Sequence, residues 1–62
     1  MLLNPKSVEA YWFRGKAEIL LKEFSSARDD LNHAITLADE QNRQELVVPI
    51  KVDLAALLQS SQ

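Results

Sequence analysis

Tyr11-Trp12-Phe13-Arg14-Gly15-Lys16-Ala17, followed by Glu23-Phe24-Ser25-Ser26-Ala27-Arg28-Asp29-Asp30-Leu31, is the stretch whose reading decides the fold. Through it and its flanks, apolar residues recur every three or four positions: Val8, Tyr11, Trp12, Ile19 and Leu20, then Phe24, Ala27, Leu31, Ala34, Ile35 and Ala38. This is the helical period, and it predicts two amphipathic helices. The connection around Lys22-Glu23 is short, which forces them antiparallel. Further on, Leu46, Ile50, Leu54, Leu57 and Leu58 form a third stripe, interrupted by Pro49. A proline there removes one backbone donor and crowds the carbonyl of Glu45, so a kink is expected. Two shorter pieces meeting at Pro49 are the alternative, and the continuous stripe favours one kinked helix. Strand alternation of useful length is absent. The expected fold is all-α, with three helices.

The boundary signals are polar. Ser7 is the expected N-cap of the first helix, with Asn4-Pro5 as an alternative start. Ser25 or Ser26 is expected to cap the second, where Ser26-x-x-Asp29 reads as a capping-box variant, and Asn42-x-x-Glu45 gives the third the same pattern. Glu18 and Lys22 stand in the order that favours an i,i+4 ion pair. Ser60 to Gln62 read as a frayed tail.

Outward from these helices, the whole chain is 62 residues with no cysteine, so neither a disulfide framework nor a Cys-based zinc site is available to a domain of marginal size. Hydrophobic residues make up 47% and charged residues 26%, a globular balance. Seven basic residues against nine acidic give a formal charge of −2, which argues against a phosphate-binding surface and hence against nucleic acid. No apolar run approaches membrane-spanning length. With a single His and a single Gly and little room for a pocket, an enzyme is not expected, and neither is a cofactor. Together these features point to a cytoplasmic binding or assembly module.

The glycine sharpens that reading. Gly15 sits mid-helix, where glycine costs about 1 kcal/mol relative to alanine, and a glycine kept there usually lets another helix approach closely. Ala27 and Ala34 are small residues on the second helix that would form the facing surface, while Tyr11, Phe24 and Leu31 supply bulk. The pattern Tyr11-x3-Gly15, Phe24-x2-Ala27-x3-Leu31-x2-Ala34 resembles a tetratricopeptide (TPR) repeat. Residues 8–39 would be its helix hairpin, residues 1–7 the end of a preceding repeat and a linker, and residues 40–62 a C-terminal capping helix with its tail. A shift by the usual 34-residue period puts Pro49 in the place of Gly15, so the third helix is expected to cap the array. Arg14, Glu18 and Asp39 depart from the family pattern, standing where leucine, an apolar or aromatic residue, and proline are usual. The finer likeness is to the last repeat of immunophilin-type co-chaperones, in which a longer C-terminal helix follows.

The resemblance implies that the first helix lines a concave groove gripping a peptide or partner helix. Carried onto this chain, that face is Glu9, Trp12, Phe13, Lys16, Ile19 and Leu20. Packing of Trp12 or Phe13 against the third helix, or against a neighbouring chain, is the alternative. Co-chaperones that hold the carboxylate tail of a chaperone place a Lys and an Arg on this helix. Glu9 and Phe13 take those places here, and an acidic residue repels a carboxylate, so that activity does not carry over. His33 with Asp29 and Asp30 shares one helix face, but two carboxylates and an imidazole without a further convergent element do not make a metal site. Nor do Ser25 or Ser26 with His33 make a nucleophilic triad, for want of a sharp glycine turn. A structural bundle that self-associates as a homo-oligomer, without a groove, is the competing function. A helix-turn-helix reader is disfavoured because Arg28 is offset by Asp29 and Asp30.

Overall fold

A computed structural model of the chain describes residues 6–60. It is all-helical: α1 spans Val8–Leu20, α2 Phe24–Glu40 and α3 Gln44–Ser60. The expected repeat end at Leu3-Asn4-Pro5, the alternative start there, and the last two residues of the tail lie outside the described residues.

Both links between helices have the same backbone design. Leu21 closes α1 and Lys22 takes a left-handed conformation at φ 61°, so that the Lys22 amide donates to the Ile19 carbonyl (3.0 Å) and Glu23 to Glu18 (2.8 Å). After α2, Asn42 repeats it at φ 58°, with Asn42 donating to Asp39 (3.1 Å) and Arg43 to Ala38 (2.7 Å). These are Schellman closures, which satisfy the orphan carbonyls of the last turn and reverse the chain within three residues. Both antiparallel reversals follow from them.

Three boundary expectations need correction. Ser7 does cap α1, its Oγ accepting from the Ala10 amide at 3.1 Å. Ser25 and Ser26, however, lie within α2, whose N-cap is Glu23 and has no side-chain cap bond. Ending α1 with a Schellman closure leaves Glu23 as the only residue between the turn and the new helix, so the cap position falls two residues before Ser25 and three before Ser26. Asn42 is likewise the left-handed residue closing α2 rather than the cap of α3. Its short polar side chain tolerates φ > 0, and that is the role the link requires. The Glu18–Lys22 pair also fails to form, because Lys22 is already outside the helix and Glu18 faces α2 instead. The continuous reading of the third helix holds: α3 runs unbroken through Pro49.

The core is one cluster of Val8, Ala27, Leu31, Ala34, Leu37, Ala38, Val47, Ile50 and Leu57, with Tyr11, Trp12, Ile19, Phe24, Ile35, Leu46 and Leu54 packed around it. Leu58, counted in the third stripe, is exposed, and Val47 takes a core place that the stripe omitted. Helix α2 supplies most of the core because it is the middle helix. Helices α1 and α3 pack on either side of it and meet only along one edge, giving a body of 31 × 27 × 12 Å, thin in one direction. None of the helices is long and apolar enough to cross a membrane.

Gly15 sets the α1–α2 distance. A Cβ placed on it would come within 2.8 Å of Leu31 Cδ2, 2.9 Å of Leu31 Cγ and 3.5 Å of the Ala27 carbonyl oxygen. Leu31 and Ala27 are completely buried, so the close approach expected from the sequence is present. Helix propensity taken alone would have alanine at 15 stabilise the protein. Packing reverses that expectation, because the buried Leu31 side chain would have to move.

Candidate interaction surface

Helix α1 has two polar edges, one on each side of its contact with α2. The first runs beside α3, where Arg43 donates to both oxygens of Glu9 at 3.2 and 2.7 Å. Farther along, the Trp12 indole N–H donates to Asp53 Oδ2 at 2.7 Å. Lys16 Nζ stands 3.8 Å from the same carboxylate and 4.9 Å from the Trp12 ring centroid. This edge of α1 is thus laced by three polar ties, one to Arg43 in the link before α3 and two to Asp53 on α3. Trp12 packs on the core with its apolar body and keeps its N–H for the edge, the usual arrangement for an amphipathic aromatic.

Of the six residues expected to line a partner face, four are engaged within the chain. Glu9 is bound by Arg43, whose hydrogen bonds hold its carboxyl below the ordinary value. Trp12 and Lys16 are tied to Asp53, and Ile19 is partly buried against the core. Phe13 and Leu20 remain open, at 58% and 84% exposed. The Phe13 ring lies on Trp12 with centroids 5.8 Å apart and planes 21° apart, so an exposed aromatic is held in place by a partly buried one. Of the residues singled out for packing between α1 and α2, Gly15, Ala27, Leu31 and Ala34 are buried, and Tyr11 and Phe24 flank them.

The second polar edge of α1 was not anticipated. Arg14 Nε donates to Asp30 Oδ2 at 2.7 Å and Nη2 to Oδ1 at 2.6 Å, a bidentate pair. Asp30 is only 6% exposed, and the Arg14 hydrogen bonds hold its carboxyl below the ordinary value. Tyr11 lies under the Arg14 guanidinium at 5.3 Å and against the His33 ring at 4.1 Å between centroids. Asp30 is therefore engaged by Arg14 and His33 by Tyr11. Among the described residues, no group of three or more acidic or imidazole side chains is placed to hold a metal ion. The signal for this edge was present in the sequence: Asp30 falls inside the apolar stripe Ala27, Leu31, Ala34, and an acid on a buried face needs a partner.

An open cleft of about 180 Å³ lies between α2 and α3, lined by Phe24, Ser25, Arg28, Leu57 and Leu58. It is smaller than the roughly 300–1,000 Å³ of small-molecule sites. Compared with known proteins, the chain matches no family model and no solved structure.

Proposed function

We propose that the protein is a non-catalytic interaction module of the TPR type, gripping a peptide or partner helix on the α1 face that carries Phe13. The observation that carries this reading is the Trp12–Phe13 pair. A large aromatic is presented to solvent without being free to collapse, because Trp12 beneath it is fixed by Asp53 and capped by Lys16. A rigid aromatic loses little entropy on binding and is a common energetic anchor of interfaces. Leu20, two turns along the same helix, extends the apolar track. The close α1–α2 approach at Gly15 supports the repeat-like hairpin. The location that fits such a module is the cytoplasm, in the manner of a scaffold or co-chaperone.

Selection of peptides against the immobilised protein, with Trp12 emission as readout, tests this. Ligands should bind the parent, perturb the single tryptophan, and lose most of their affinity for Phe13→Ala. Ligands that bind Phe13→Ala equally well would contradict the reading. The alternative, self-association without a groove, draws on exposed Val48 and Val52, one turn apart on α3. It predicts a concentration-dependent mass in sedimentation that Val48→Asp abolishes.

A further inference from the structure

Two carboxylates share one guanidinium where α1 meets α2. Asp30 takes both hydrogen bonds of the Arg14 fork, so Arg14 is already committed. Glu18 stands one turn after Arg14 on α1, with its side chain beside that of Asp30. Its Oε1 is shut off from water and accepts no hydrogen bond. The charged groups around it are Arg14 from α1, Asp30 from α2 and Glu23 from the link, with His33 on α2 and Tyr11 on α1 flanking the Arg14–Asp30 pair. Two of its charged neighbours are therefore acids. An ionised Glu18 would leave a buried oxygen without a donor next to a second carboxylate, an expensive arrangement. A protonated Glu18 removes that charge and has a proton to share with Asp30.

We propose that Glu18 is a proton-operated latch on the α1–α2 seam: carrying a proton, it closes against Asp30, and losing it loosens α1 from α2. Burial, and then the adjacent Asp30, raise the Glu18 carboxyl from 4.5 to about 7. The direction of the effect follows from linkage. The folded chain keeps this proton up to about 7, while the unfolded chain releases it near 4.5. The stabilisation is complete below the lower value and is lost as pH rises through the upper one. Asp30 shifts the opposite way, stabilising above its ordinary 3.8. Stability therefore peaks on the acid side of neutrality, and the latch opens near neutral pH. Arg14, Glu18 and Asp30, which look like unrelated irregularities along the chain, become parts of one device.

The ¹³C resonance of the Glu18 carboxyl, followed by NMR across the pH range in the parent protein, reads the latch directly. A midpoint near 7 is expected, and a midpoint at or below 4.5, the ordinary value, would overturn the proposal. Thermal melts add a second readout. The parent should lose about 5 °C or more between mildly acidic and mildly alkaline pH. Glu18→Gln, whose amide can donate to Asp30 at any pH, should lose less than half as much and melt above the parent on the alkaline side. Parallel pH profiles for parent and variant would also overturn it.

Discussion

The middle helix α2 meets a partner on each side, and the two seams are made of different chemistry. Toward α1 the contact is close and polar at its edge: a glycine against Leu31 and Ala27, bordered by the Arg14–Asp30 pair and by Glu18, whose Oε1 is shut off from water. From the other side, α3 brings aliphatic side chains alone into the core, Val47, Ile50 and Leu57. Apolar contacts of the second kind tolerate sliding and repacking. A glycine notch and a bidentate ion pair do not, since each fits one register only. The α3 seam supplies burial, whereas the α1 seam specifies how the hairpin docks.

The comparison sets the size of each mutational effect. Ile50→Ala removes a fully buried aliphatic from the α3 seam and should cost about 3 kcal/mol in chemical denaturation. A loss under about 1 kcal/mol would mean that α3 is loosely docked. Asp30→Ala should cost less, about 1–2 kcal/mol, since half-exposed Arg14 can hydrate and Glu18 can turn toward it. The same variant should flatten the pH dependence ascribed to Glu18, and an unchanged profile would separate the two acids. Lys22→Gly acts outside both seams and should stabilise by about 0.5–1 kcal/mol, because glycine accepts φ > 0 without penalty. Asn42→Gly, at the matching site of the second link, should gain less. Arg43→Ala breaks only a half-exposed pair with Glu9, and its melt should stay close to that of the parent.

The helices were readable because each has one apolar stripe and the stripes are separated by short polar gaps. Gly15, Ala27 and Leu31 also revealed the register of the hairpin. The caps are not legible in the same way, because Ser25, Ser26 and Asn42 are residues that serve several turn roles. Which role each takes depends on how the preceding helix ends, and a non-glycine residue such as Lys22 in a left-handed turn leaves no mark in the sequence. The Arg14–Asp30 pair was within reach, since the register that sets Gly15 against Leu31 brings Arg14 opposite Asp30. Each residue read separately looked like ordinary surface charge. The α1–α3 ties were hidden for another reason: Trp12 and Asp53 are brought together by the packing of both helices on α2, a relation without sequence period. Four of the six residues expected to face a partner are consequently held by their own chain, and Phe13 and Leu20 are left as its open part.

The close approach of α1 to α2 is tested most directly by Gly15→Ala, because two physical effects there have opposite signs. Helix propensity would raise stability by up to about 1 kcal/mol. The contact with Leu31 would lower it by about 1–3 kcal/mol, since an added Cβ forces a buried side chain to shift. Packing should win, so that Gly15→Ala melts below the parent while Lys16→Ala, on the neighbouring exposed position, melts close to it. A Gly15→Ala variant that melts above the parent would contradict the account, because α1 would then have room that the hairpin does not allow.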